Sequence, residues 1–202
     1  MRASLVCAVS TLLCIFSVGH LSAQSAAIGG VVTAPGEPTV GAVVFLVPEE
    51  QTGEGYPQQS VTIDQVQLRF VPPLLVVTPG TVVAFQNSDP LLHNIFSPQG
   101  PGPGFDLGMY PTSESRSHTF DEVGTHVILC NVHPEMVAYV LVVPTTLYAV
   151  VGEGGRFSLE DLPVGNYALK VWHRSAGSLE REILLGDGDF LRLRLQLPTA
   201  DR

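Results

Sequence analysis

Seven consecutive residues, Cys130-Asn131-Val132-His133-Pro134-Glu135-Met136, put a thiolate, an imidazole and a thioether within one short stretch. These are three of the four donor groups of a blue copper site. Such a site sets one Cys sulfur and two His nitrogens in a trigonal plane with a weak axial Met, since soft sulfur favours Cu(I) and imidazole is a good copper ligand. The second imidazole has to come from elsewhere in the chain. His93 is the best placed, in Asn87-Ser88-Asp89-Pro90-Leu91-Leu92-His93-Asn94, just after the strand-like run 81–85. His126 has the parity of Cys130 on one strand but lies four residues back, about 13 Å away at ~3.3 Å per residue. His118 reads as solvated, His173 as half of a half-buried pair with Trp172, and His20 falls in the N-terminal apolar segment. The bland alternative is a buried Cys, a surface His and a core Met that are close by chance. Zinc is the rival metal, with Glu135 as a substitute donor, but a thioether is a poor zinc ligand.

The elements that must position these donors are strands. Glycine and proline are frequent, 20 and 16 among 202 residues, and they punctuate short Val- and Leu-rich runs at regular intervals. That is the pattern of an all-β sandwich. Residues 1–23 read as an export signal: Arg2 gives a positive start, 5–18 is mostly apolar, and Leu21-Ser22-Ala23 suits cleavage. The apolar stretch is shorter than the ~20 residues that span a bilayer. A periplasmic or secreted protein follows, without stable membrane insertion after cleavage; anchoring by an uncleaved signal is the alternative. Cleavage removes Cys7 and Cys14 and leaves Cys130 as the single cysteine. Exported proteins usually carry cysteines in pairs, so a lone one beside His and Met at ligand spacing reads as a metal ligand.

Ten Lys and Arg against nineteen Asp and Glu give a net charge of −9. Nucleic acid is therefore not expected as a partner, and the field steers toward basic partners; simple solubility accounts for the charge equally well. No second His cluster, H-E-x-x-H or G-x-S-x-G appears, so the chain reads as a carrier and not an enzyme.

In chain order, 28–32 and 41–46 read as a hairpin around Pro35-Gly36-Glu37-Pro38, and 51–60 as a linker. The run 61–70 reads as one strand with Val66, Leu68 and Phe70 on its buried face. Further strands are expected at 74–78, 81–86, 117–120, 125–130 and 137–143. Cys130 then ends one strand and Met136 precedes the next. In the last part, 191–197 alternates strictly and closes a second β module.

With the ligand loop, Phe70-Val71-Pro72, Thr78-Pro79-Gly80 and the Asn-x-Asp stretch before His93, the chain from about 61 to 143 resembles the cupredoxins of the plastocyanin and amicyanin group. The Gly/Pro-rich insert 98–105 departs from that pattern. The resemblance implies a Greek-key β-sandwich at 58–144 holding one type 1 copper on His93, Cys130, His133 and Met136. It also implies that Asn94 ties the two ligand loops together, and that His133 turns an edge to solvent through an apolar patch and serves as the electron port. Single electrons would pass to and from a redox partner such as a c-type cytochrome or periplasmic oxidoreductase. Copper delivery, or partner binding with a non-essential copper site, is the alternative. The stretch Gly152–His173 resembles the carboxypeptidase regulatory-like, or transthyretin-like, β-sandwich, which implies a smaller discontinuous module at 26–57 and 145–202 into which the cupredoxin is inserted.

Overall fold

The computed structural model describes residues 25–50 and 55–199; the export signal read at 1–23, with Cys7, Cys14 and His20, lies outside them. The described chain is all-β. Its strands in order are β1 (Ser25–Thr33), β2 (Val43–Pro48), β3 (Ser60–Gln65), β4 (Phe70–Val71), β5 (Leu74–Val77), β6 (Thr81–Asn87), β7 (His93–Ser97), β8 (Phe105–Tyr110), β9 (Ser115–Phe120), β10 (Gly124–Leu129), β11 (Val137–Val142), β12 (Tyr148–Val150), β13 (Arg156–Pro163), β14 (Gly165–His173), β15 (Gly177–Leu185) and β16 (Phe190–Gln196). One 3-10 turn, Glu153–Gly155, precedes β13. Among the described residues no helix is long and apolar enough to cross a membrane.

The strands form four sheets. In the middle of the chain, β4-β3-β6-β9 faces β5-β11-β10-β7-β8. Between them lies a core of Ile63, Phe70, Val83, Phe85, Ile95, Tyr110, Phe120, Ile128 and Met136, among others. β6 alternates strictly, with Thr81, Val83, Phe85 and Asn87 buried and the residues between them partly exposed, as one buried sheet face requires. The outer strands form β13-β1-β16 and β12-β2-β14-β15, around Ile28, Leu46, Leu162, Leu169 and Leu185. A third cluster joins the two pairs of sheets: Val43 and Phe45 of β2 pack with Val76, Leu141 and Val143, flanked by Tyr148 and Trp172. There Trp172 meets Tyr139 edge-on at 6.0 Å.

Several local expectations are corrected. β1 and β2 are not a hairpin. β1 pairs with β13 and β16, while β2 pairs with β12 and β14 in the opposite sheet. β2 serves two cores, Val44 and Leu46 inward and Val43 and Phe45 outward. An uninterrupted apolar run is the mark of a strand covered on both faces, and such a strand belongs in the centre of a sheet. The run 61–70 is also not one strand. It breaks after Gln65, turns through Gln67 and Leu68, both at positive φ (53° and 59°), and returns as β4. Tight turns with both central residues at positive φ favour Asn-Gly or Gly-Gly, and Gln-Leu carries no such signal. β7 and β8, on either side of the Gly/Pro-rich insert, are additional strands whose apolar residues are too few and too interrupted to show as a pattern. His118 is partly buried and stacked on Phe105 with centroids 3.8 Å apart; that burial, with His126 nearby, holds its pKa below the ordinary value.

Candidate metal centre

Three strand ends converge at one end of the middle sandwich. β10 stops at Leu129, so Cys130 is the first residue of the connection to β11, and its side chain is buried in the shared core. The connection closes tightly: the Met136 N–H donates to the His133 carbonyl at 2.9 Å. His93 opens β7, next to β10 in the same sheet, and is fully buried. Asn94 locks the two segments together, its Oδ1 accepting the Asn131 N–H at 2.7 Å.

The result is a compact triangle of donor atoms. Cys130 Sγ lies 3.8 Å from His93 Nδ1 and 3.9 Å from His133 Nδ1, and the two Nδ1 atoms are 3.0 Å apart. A point equidistant from three atoms so spaced is about 2.1 Å from each, close to the ~2.0–2.1 Å of a zinc–imidazole bond and somewhat short of the ~2.3 Å of a zinc–thiolate bond. The three side chains therefore fit one first-row ion. Among the described residues, this is the group of three His, Cys, Asp or Glu side chains whose ligand atoms lie close enough together to hold an ion. Met136 is buried in the same core as Cys130, whereas Glu135 is exposed. The donor set is soft: one thiolate and two imidazoles, beside a buried thioether and with the one neighbouring carboxylate of the loop in water. That composition suits copper better than zinc.

The other histidines are employed elsewhere. His126 Nε2 donates to the Glu122 carbonyl at 2.9 Å and its ring meets Phe120 edge-on. His173 is buried, and its Nδ1 accepts the Ala176 N–H at 3.0 Å.

One residue of the site escaped the sequence reading. Asp89 is buried, and its Oδ2 lies 3.0 Å from His93 Nε2. A carboxylate there takes the Nε2 proton as a hydrogen bond and leaves Nδ1 as the lone-pair nitrogen facing Cys130. Asp89 is itself held by the N–H groups of Gln67 and of Leu68, the latter at 2.9 Å, while its own N–H donates to Asn87 Oδ1 at 3.0 Å. Asn87 Nδ2 in turn donates to the carbonyls of Leu91 and Tyr110, and Thr112 Oγ1 donates to the Asp89 carbonyl. Burial pushes the Asp89 carboxyl upward, but the Leu68 and Gln67 N–H groups and His93 outweigh it and leave it below the usual carboxylate range. The left-handed backbone at Gln67 and Leu68 costs roughly 1–2 kcal/mol per non-glycine residue, and in return it aims two N–H groups at one carboxylate. A signal did exist in the sequence: Asp89 precedes His93 by four residues within the stretch quoted for the ligand.

Exposure differs between the two imidazoles. His93 is enclosed, whereas His133 is partly exposed between exposed Val132 and Pro134. The segments flanking the ligands carry further exposed apolar side chains: Leu91 and Leu92 before His93, and Met109, opposite Asn94 in the β7–β8 register.

No protein-family model matches the chain, and no curated protein matches it. Among solved structures, the chain is similar to a single-residue mutant of amicyanin in its Cu(I) form, with 27% identity over 42% of this chain and 82% of that one and a TM-score of 0.40. It is also similar to a purple cupredoxin from Nitrosopumilus maritimus, with 26% identity over 41% of this chain and 99% of that one and a TM-score of 0.37. Amicyanin from Paracoccus versutus is a third, with 20% identity over 48% of this chain and 91% of that one and a TM-score of 0.39.

Proposed function

We propose that the protein is an exported blue copper carrier that passes single electrons between redox partners, with one type 1 copper that His93, Cys130 and His133 would hold and to which Met136, buried beside Cys130, would offer a further, weaker sulfur donor. The observation that carries this reading is the triangle of Sγ and two Nδ1 atoms, sized for one ion and built from the donors copper prefers. Bound copper supplies a centre that alternates between Cu(I) and Cu(II). The chain's own residues do the rest. Asn94 and Asp89 fix the two ligand segments and the His93 ring, so the donors keep their places whichever oxidation state is present. The core around Cys130 keeps water from the thiolate. His133 provides the edge nearest solvent, and Leu91, Leu92, Met109 and Val132 give that end exposed apolar side chains on which a partner can seat.

In this reading residues 58–144 are an inserted cupredoxin unit, and 26–57 with 145–202 form a transthyretin-like module around it. The pairing of β1 and β2 with C-terminal strands supports the division. Its test is the excised segment 58–144, expected to fold by circular dichroism once the apolar face of Val76, Leu141 and Val143 is made polar. An unfolded segment would place the boundary elsewhere.

The functional test is reconstitution. The full chain should take one copper and turn intensely blue when oxidised, and Cys130→Ser should abolish the colour while leaving the fold intact. A blue Cys130→Ser protein, or a chain that takes zinc and refuses copper, would overturn the assignment.

A further inference from the structure

The edge strands β8 and β9 belong to opposite sheets and meet along one side of the middle sandwich, and among the described residues no strand pairing joins them. Side chains close that side instead. Arg116 of β9 reaches across, its Nη1 donating to the Leu107 carbonyl and its Nη2 to the Met109 carbonyl at 3.3 Å, with the guanidinium 5.3 Å from the centre of the Tyr110 ring. Further along β9, the His118 ring stacks on Phe105, which opens β8 after the Gly/Pro-rich insert, with centroids 3.8 Å apart. The Phe120 ring meets Phe105 and His118 edge-on at 5.9 and 5.0 Å. Of the two polar fasteners, arginine keeps its charge at every ordinary pH, whereas histidine changes charge between about pH 5 and 8.

We propose that His118 is an acid-sensitive latch on this side: neutral, it holds Phe105 and the start of β8 against β9, and protonated, it lets β8 and the insert open away from β9. Burial disfavours a charge on the ring, and His126 of β10 opposes it too, while Glu122 and Asp121 of the β9–β10 turn favour it. Burial wins, and the His118 pKa lies below its ordinary value. The other neighbours supply no relief. The insert has no charged residue, and β6, which pairs with β9, has no titratable one. Arg116 is turned to the β8 carbonyls, and the one carboxylate of β8, Asp106, accepts the Gly108 N–H at 2.8 Å. A folded pKa so depressed gives a stabilisation that is complete above the unfolded value near 6.5 and is lost as pH falls through the folded one. An opened β8 keeps β7 as its strand partner. Met109 travels with β8, so in the carrier reading, on which this step alone rests, acid would withdraw one apolar side chain from the partner's seat.

Hydrogen exchange of the metal-free full chain, read by NMR and corrected for the intrinsic pH dependence of amide exchange, measures the opening. The β8 amides should open at least about threefold more often at about pH 5.5 than at about pH 7.5, while those of β3 and β6 stay as they were. His118→Phe keeps an aromatic ring on Phe105 and removes the titration, so its β8 should stay closed at both pH values. His118→Ala should open at neutral pH as often as the wild type does in acid. A wild-type β8 with no pH dependence, acid opening that persists in His118→Phe, or a His118→Ala protein as closed as the wild type at neutral pH would each overturn the latch. A second measurement needs no variant. The His118 ring signals of the wild-type chain should titrate below the ordinary histidine value, and titration at or above it would contradict the proposal. Failure of the chain to bind copper would sink the carrier reading while leaving these results to judge the latch.

Discussion

The two pairs of sheets bury different kinds of residue. The outer pair encloses an almost wholly apolar core, Ile28, Leu46, Phe157, Leu162, Leu169 and Leu185 with Tyr167, and Thr39 and His173 as buried polar residues that each have a hydrogen bond. The middle pair buries Asn87, Asp89, His93 and Asn94 near one end, where their hydrogen bonds tie the ligand segments together, and Gln65, Thr78, Thr81, Ser97 and His126 besides. Burying a polar group without a partner costs about 1–3 kcal/mol by mutational measures, so a core gains nothing in stability by collecting such groups. The outer core is organised for packing. The middle core gives up some of that advantage in order to fix the directions of side chains.

The largest effect expected from breaking this contrast is at the ligands. His133→Gly and His93→Gly should each lose the blue colour. Free imidazole should restore much of it in His133→Gly, where the gap opens to solvent, and little in His93→Gly, where the gap is closed. An imidazole titration followed in the visible spectrum decides the point; rescue of His93→Gly alone would reverse the assignment of exposed and enclosed ligands.

Cavities sharpen the comparison next. Phe120→Ala in the middle core should destabilise by about 3–5 kcal/mol and Leu46→Ala in the outer core by about 2–5 kcal/mol. Only the first should disturb the copper spectrum, since Phe120 belongs to the core that contains Cys130 and Leu46 does not. Denaturant unfolding and the visible spectrum, recorded on both variants, test the pair.

A smaller effect is alkaline. Burial pushes the Tyr110 hydroxyl up to about 12, against the pull of the Gln65 hydrogen bond and of Arg116. A raised folded pKa means a contribution that is complete below the unfolded value near 10 and disappears as pH climbs toward 12. The loss is on the order of 2–3 kcal/mol. Tyr167 in the outer pair is shifted the same way by burial. Tyr110→Phe should flatten part of the alkaline fall in stability, measured by unfolding between pH 9 and 12. The smallest effect expected is for Asn94→Ala. It removes the bond to the exposed Asn131 N–H, which water can replace, at a cost of about 1 kcal/mol, and it should broaden the copper spectrum by loosening the two ligand segments.

How much of this could be read from the sequence follows from how local each feature is. The strands at 74–77, 81–87 and 137–142 show their alternation or apolar runs plainly, and the ligand loop declares itself because three donors fall within seven residues. Asn94 was legible only through the family resemblance, which implies that it ties the two ligand loops together. Asp89 was legible only as part of the Asn-x-Asp stretch before His93; its bond to the ligand was not, because its other partners come from the turn at 67–68, about twenty residues away, whose residue types give no sign of the left-handed backbone they adopt. The supposed hairpin of β1 and β2 failed for a related reason. Short-range turn chemistry at 35–38 cannot reveal that β2 is covered on both faces and so belongs beside β14.

The central claim is that His93, Cys130 and His133 hold one copper that exchanges one electron without rearrangement of its ligands. Spectroelectrochemical titration of the copper-loaded full chain tests it most directly. The account predicts one copper per chain, a blue band that bleaches and returns along a single reversible one-electron wave, and the same curve in both directions. A wave that is absent, irreversible or shifted between the reductive and oxidative directions would contradict it.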